Sequence, residues 1–250
     1  MTKVGIIGGS GLDDPRLLKK AREMCVETPF GKPSSHLTMG SIDGVEVVIL
    51  ARHGKRHTIP PTQVNYRANM HALKSQNCTH ILATTACGSL REEIKRGDIV
   101  ILDQFIDFTR FRSVTFFETF PPGAENAKHT PMADPFAEPL RQKLIETAKQ
   151  LSLSFHERGT VITIEGPRFS TRAESNMFRI WGADVINMSL APEIILANEA
   201  GIPYAAVAMS TDYDCWKTGE APVEWSAVLR IFETNVKNVK KLILRTIQTL

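Results

Sequence analysis

Cysteine is scarce in this chain and nowhere clustered: Cys25, Cys78, Cys87 and Cys215 stand far apart, with no C-x-x-C pair. That spacing supplies neither a disulfide framework nor a zinc site, so free or buried thiols are expected. His53 and His57 are four residues apart but lack the intervening glutamate of a His-Glu-x-x-His metal motif. No metal is expected. No stretch approaches the ~20 consecutive apolar residues of a membrane span, and the first eleven residues lack the long apolar core of a secretory signal. A cytoplasmic protein with no membrane partner is therefore expected. Nor does one charge dominate: 30 Lys and Arg stand among 27 Asp and Glu, a net of +3, with no basic block to hold nucleic acid.

What is present suits a sizeable core. A chain of 250 residues with 42% hydrophobic content predicts one globular domain over residues 1–250. Short β-branched runs recur at Val4 to Ile7, Val45 to Leu50, His80 to Thr85, Ile99 to Leu102, Val161 to Ile164, Asp184 to Asn187 and Tyr204 to Met209, each reading as a buried strand. Phe136, Leu140, Leu144, Ala148 and Leu151 recur at helical spacing, and a longer helix is predicted from about Val223 to Ile247. This alternation predicts an α/β sheet layered with helices. Between Phe108 and Pro131 the pattern gives way to aromatic, Pro and Gly residues, which predicts a long functional loop.

Several predicted strands end in residues suited to an anion. Gly8-Gly9-Ser10-Gly11 follows the first strand, and its N–H groups and hydroxyl suit phosphate. A plain structural turn and a dinucleotide loop are rival readings, although Asp14 stands where the third glycine of G-x-G-x-x-G belongs. Arg52 and His53 follow the second run, one able to fork onto two oxygens, the other to donate a further hydrogen bond. Thr85 and Ala86 open Thr-Ala-Cys-Gly-Ser after the third run, and Ser189 follows another strand, either as a phosphate ligand or as a simple helix cap. Ligands in open α/β sheets gather at carboxyl ends of strands, so these segments are expected to converge. In Ser-Thr-Asp-Tyr-Asp-Cys-Trp, an extended chain places Asp212 and Asp214 on one side and Tyr213 on the other. Paired, partly buried carboxylates favour a proton on one of them, giving a donor beside an acceptor; the alternative is a solvated acidic loop.

Together, Gly-Gly-Ser-Gly-Leu-Asp-Asp, Ala-Arg-His-Gly, Thr-Thr-Ala-Cys-Gly-Ser-Leu-Arg-Glu-Glu, Thr-Ile-Glu-Gly-Pro-Arg-Phe-Ser-Thr-Arg-Ala-Glu, Trp-Gly-Ala-Asp-Val-Ile-Asn-Met and Thr-Asp-Tyr-Asp-Cys-Trp resemble the 5′-methylthioadenosine phosphorylase family, in the family's order and across almost the whole chain. The resemblance implies the fold of the trimeric purine nucleoside phosphorylases, a twisted mixed β-sheet flanked by helices, assembled as a homotrimer. It implies phosphate ligands at Ser10, Arg52, His53, Thr85, the backbone of Ala86, and Ser189. It places the Met188 main chain at the ribose, Phe169 against the base, Asp212 and Asp214 as catalytic and adenine-recognising carboxylates with Tyr213 in the same substrate-binding segment, and His129 beside the 5′ group of a neighbouring subunit.

Ser170 and Asp212 stand where the 6-oxopurine enzymes have glutamate and asparagine, which favours adenine; Trp225 replaces a small aliphatic residue in a specificity segment. The implied reaction is phosphorolysis of S-methyl-5′-thioadenosine to adenine and 5-methylthioribose 1-phosphate, with inorganic phosphate as co-substrate and no cofactor. The alternative is a broader phosphorylase acting on adenosine or 6-oxopurine nucleosides.

Overall fold

In a computed structural model of the chain, the described residues are 1–8, 12, 15–219 and 225–250, with the side chains of 15, 225–230 and 232–234 outside the description. In chain order they form β1 (Lys3–Gly8), β2 (Lys19–Met24), β3 (Leu37–Ile42), β4 (Val45–Ala51), α1 (Tyr66–Ser75), β5 (His80–Ser89), β6 (Ile99–Ile101), β7 (Gln104–Phe108), α2 (Glu138–Gln150), β8 (Phe155–His156), β9 (Thr160–Ile164), α3 (Arg172–Ile180), β10 (Val185–Asn187), α4 (Leu190–Ala200), β11 (Tyr204–Asp212) and α5 (Trp225–Ile247). The strands join one mixed sheet in the order β2-β3-β4-β1-β5-β10-β9-β7, with β11 pairing β5 and β6, and β8 pairing β6.

The central strands are apolar on both faces because helices cover both. In β1 and β4, Ile7, Val48 and Leu50 pack with Met70 and Leu73 of α1 and Ile194 of α4. Their neighbours Val4, Ile6, Val47 and Ile49 share a core with Leu140 and Leu144 of α2 and Val239 and Leu242 of α5. Period-two alternation along each strand thus builds two cores, one per face. A third cluster seats Phe178 of α3 against Ile162, Ile164 and Ile186.

β5 organises the site. β1 pairs with it from His80 to Ala83, whereas β10 takes up the same edge at Gly88 and Ser89. The opposite edge is occupied by parallel β11 from Ile81 to Gly88. Among the described residues, Thr84 to Cys87 therefore have no ladder partner on the first edge, and the strand opens there onto a cavity. The predicted strand ended at Thr85; the observed one continues to Ser89, because pairing with β11 and β10 carries the backbone through Thr-Ala-Cys-Gly-Ser.

Candidate functional site

The cavity at this break holds roughly 700 Å³, a volume suited to a small-molecule ligand. One end is built around Arg52, which follows β4, has a main-chain N–H bonded to Gly8 O, and is only 2% exposed. Its Nε and Nη2 donate to the two carboxylate oxygens of Glu193 at 2.5 and 2.9 Å, and its Nη1 donates to Thr84 O at 2.9 Å. Tyr204 Oη donates to the same Glu193 at 2.9 Å. Burial alone would lower the guanidinium pKa, but Glu193 outweighs it and holds the charge firmly in place. An arginine has five N–H donors, so these three bonds fix the fork while leaving two donors for a ligand.

Thr85 Oγ1 and Ser189 Oγ lie 3.4 Å apart in the same wall. Ser189 precedes α4, yet its side chain makes no capping bond. The simple-cap reading is thereby set aside in favour of a hydroxyl facing the cavity. Asn187 binds this pair together: its Nδ2 donates to Thr85 Oγ1 at 3.3 Å, while its Oδ1 accepts from Thr163 Oγ1 at 2.7 Å. Backbone polar groups alternate sides along a strand. Because Thr84 O meets Arg52 on the open edge, the N–H of Ala86, two residues on, points to that edge as well.

His53 also lines the cavity. Its Nδ1 lies 2.9 Å from Ile59 O, and a carbonyl can only accept, so the hydrogen sits on Nδ1. Burial, reinforced by the Arg52 charge, lowers its pKa from 6.5 to about 4. The neutral ring then offers Nε2 as an acceptor. With Nδ1 committed to Ile59 O, the neutral ring has no second N–H to donate, in contrast to the expected donor role.

The other end is built where β11 stops. Its register with β5 slips between Ser210 and Asp212, so Thr211 is an extra residue and Asp212 faces Gly88; such a bulge re-aims the side chain that follows it. Asp212 Oδ2 accepts from Thr211 Oγ1 at 2.8 Å and its Oδ1 from the N–H of Asp214 at 2.8 Å. Asp214 is left-handed, with φ of 48°, a conformation that Asp tolerates better than most residues. The two carboxylates share the cavity wall through this tight turn rather than through the extended chain expected. Burial raises the Asp212 pKa, with the Asp214 charge adding to the rise against the pull of Thr211, the Asp214 N–H and Arg96.

Ser170 Oγ lies 2.7 and 2.6 Å from the two oxygens of Asp214. Its place is fixed by the start of α3, where Thr171 Oγ1 accepts from Glu174 N at 3.2 Å and Glu174 accepts from Thr171 N at 2.7 Å, a reciprocal capping box. Phe169 and Met188 complete this half of the wall, with Phe169 42% exposed.

Of the residues expected from sequence, Arg52, His53, Thr85, Ala86, Phe169, Ser170, Met188, Ser189, Asp212 and Asp214 all line this cavity. Tyr213 does not. It packs outward beneath Lys217 Nζ, 3.8 Å from its ring centre, and next to Trp216, because the turn sends it away from the carboxylates on either side. The structure therefore does not bring the Tyr213 side chain together with the other expected site residues. His129 is exposed, near Phe120, and lines no part of the cavity of its own chain. Ser10 and the Trp225 side chain lie outside the described residues. Glu193, Asn187 and the Ile59 carbonyl were not anticipated. Glu193 had one signal, a lone carboxylate in the apolar run Leu-Ala-Pro-Glu-Ile-Ile-Leu; the Asn187 contacts arise from long-range folding, and the Ile59 carbonyl reaches His53 through an irregular turn of six residues. Among the described residues, no group of three or more His, Cys, Asp or Glu side chains gathers to hold a metal ion.

The model of the phosphorylase superfamily matches residues 3–248. The chain belongs to the phosphorylase superfamily. Within it, the chain is 58% identical to the S-methyl-5′-thioadenosine phosphorylase of Xenopus tropicalis over 98% of its own length and 88% of the relative's. It is 55% identical to the protein of the same name from Danio rerio, with the same shares covered. Among solved structures of the superfamily, methylthioadenosine phosphorylase from Schistosoma mansoni in complex with adenine has a TM-score of 0.93 and 47% identity, covering all of this chain and 92% of that one. A Schistosoma mansoni adenosine/methylthioadenosine phosphorylase mutant in complex with methylthioadenosine gives 0.92 and 46%, with 100% and 91% covered. These likenesses carry the mixed sheet flanked by helices into the superfamily's fold.

Proposed function

We propose that this chain is a pentosyltransferase that cleaves S-methyl-5′-thioadenosine with inorganic phosphate, giving adenine and 5-methylthioribose 1-phosphate. The observation that carries the reading is one cavity with two unlike ends, the Arg52 fork beside Thr85 and Ser189, and the Asp212–Asp214–Ser170 group. The names of its relatives and the adenine and methylthioadenosine in the similar structures support the same substrate.

In this reading phosphate sits on the two remaining Arg52 donors, the hydroxyls of Thr85 and Ser189, the Ala86 N–H and the hydroxyl of Ser10. It attacks C1′ as the bond to adenine N9 breaks, and its charge stabilises the cationic sugar that develops. Asp212, its proton favoured by burial, donates to N7 so that the base leaves neutral, an acid role typically worth ~10²–10⁴-fold in rate. Asp214, held by Ser170, accepts from the 6-amino group. Phe169 lies against the base and the Met188 main chain meets the ribose. No cofactor is needed, because phosphate itself is the nucleophile.

A homotrimer belongs to the same proposal. Phe111, Phe117 and Phe120 are 86%, 37% and 43% exposed on the segment that also carries the exposed His129, and apolar surface of this kind suits contact between copies, with His129 reaching a neighbour's 5′ site. A cytoplasmic setting is supported by four unpaired thiols. The deciding assay offers methylthioadenosine, adenosine and inosine, each with and without phosphate, and follows the released base. Adenine release that requires phosphate is expected; faster hypoxanthine release, or release without phosphate, overturns the reading. Light scattering of the purified chain tests the trimer.

A further inference from the structure

Arg112 lies in the irregular segment after β7 and does not itself line the cavity, yet its side chain is only 1% exposed. Every one of its five N–H donors is used. Nε donates to Glu165 Oε1 at 3.0 Å, one Nη1 hydrogen to Tyr66 Oη at 3.0 Å and the other to Met188 O at 2.7 Å. Nη2 donates to Ile164 O at 3.2 Å and Glu165 O at 2.5 Å.

These acceptors belong to three separate pieces of cavity wall. Ile164 and Glu165 lead directly into Pro167, Phe169 and Ser170; Met188 follows β10; and Tyr66 Oη itself donates to Pro61 O, on the third piece, at 3.1 Å. The return partner Glu165 also accepts from the N–H groups of Arg110 and Phe111 at 2.6 and 3.2 Å, which fixes the loop that carries Arg112. The two strand ends are in close contact: a Cβ on Gly166, whose φ is +66°, would lie 2.5 Å from Met188 Sδ.

We infer that Arg112 is a positioning residue for the nucleoside half of the site: its guanidinium sets the spacing between the Phe169–Ser170 segment, the Met188 main chain and the Pro61 turn, against which sugar and base are held. The phosphate half has an anchor of its own in the Arg52–Glu193 pair, to which Arg112 makes no hydrogen bond. The inference rests on the phosphorylase reading for what the pocket binds. A lysine has three donors and no planar fork, so Arg112→Lys keeps the charge but cannot satisfy five acceptors.

The test compares the parent with Arg112→Lys and Arg112→Ala. The expected result is at least a tenfold rise in KM for methylthioadenosine with the phosphate KM within twofold, and partial recovery of Arg112→Ala by millimolar guanidinium. Parallel changes in both KM values, or no change in either, overturn the inference. Amide hydrogen exchange without ligand reads the same clamp independently: faster exchange confined to residues 164–170 and Met188 supports it, and unchanged or uniformly faster exchange overturns it. If the Arg112 variants do not fold, Tyr66→Phe removes one acceptor and is expected to raise the nucleoside KM severalfold while leaving the phosphate KM alone; equal effects on both count against the clamp. Failure of the phosphorylase reading would be visible in the parent's assay, before any variant is made.

Discussion

Ser170 places its single hydroxyl hydrogen between the two carboxylate oxygens of Asp214, 2.7 and 2.6 Å away, across 44 residues of sequence. A hydrogen bond to a charged group is worth about 1.5–3 kcal/mol, and here it fixes the direction in which Asp214 presents its free lone pairs. Ser170→Ala is expected to lower kcat/KM for methylthioadenosine about 10- to 100-fold, with Ser170→Thr retaining most of it. Steady-state kinetics on the three proteins checks this, and an Ala variant with parental kinetics would remove Ser170 from the positioning of Asp214.

The two halves of the site were legible in the sequence to different degrees, for physical reasons. Polar residues at or just past the end of an apolar run, such as Arg52, Thr85 and Ser189, announce themselves because a polar group there has few other places to go. Their convergence rests on β5 exchanging β1 for β10 along one edge, which follows from pairing between distant segments. Tyr213 and His53 show the complementary failure. An extended-chain argument placed Tyr213 correctly on the opposite side from Asp212, but family likeness kept it among the substrate contacts; the hydrogen on His53 was decided by Ile59 O, which no local pattern signals. The strands β2 and β8 went unread because Lys19–Met24 is polar and largely exposed and Phe155–His156 is two residues long.

Glu193 supplies the counter-charge for Arg52 from a fully buried position. Removing one member of a buried pair strands the other charge, at a cost of about 3–5 kcal/mol. Glu193→Gln is expected to lose stability by that order in phosphate-free buffer, and to regain part of it at saturating phosphate, because the bound anion takes over the missing charge. Chemical denaturation with and without phosphate reads both. An equal loss in the two buffers would mean that Arg52 does not face the anion.

His53 gives the fold a specific acid sensitivity. A histidine whose folded pKa is lowered, here from 6.5 to about 4, stabilises the fold fully above its unfolded pKa and loses that contribution as pH falls toward the folded value. The window is therefore pH 6.5 down to about 4, and the contribution is on the order of 3 kcal/mol. The stability difference between the parent and His53→Gln should shrink as pH is lowered through this range, measured by urea unfolding without phosphate; a constant difference contradicts a buried neutral ring.

Gly88 bears on the base end in the way Glu193 bears on the phosphate end. A Cβ added there would lie 2.9 Å from Asp212 Oδ1, 3.1 Å from Ile186 Cγ2 and 3.3 Å from Asp214 Cβ. Ile186 belongs to paired strand β10, and the Asp214 N–H ties both carboxylates into one turn, so no neighbour can yield alone. Overpacking of this kind costs about 1–3 kcal/mol, an amount the fold survives. The displacement falls on Asp212 and Asp214, the two groups proposed to meet N7 and the 6-amino group. Gly88→Ala is accordingly expected to remain folded with a modestly lowered melting temperature, to lose at least tenfold in kcat/KM for the nucleoside, and to keep the phosphate-induced rise in melting temperature expected of the parent. Loss of that phosphate response together with nucleoside turnover would indicate that the two ends of the cavity are not independently built.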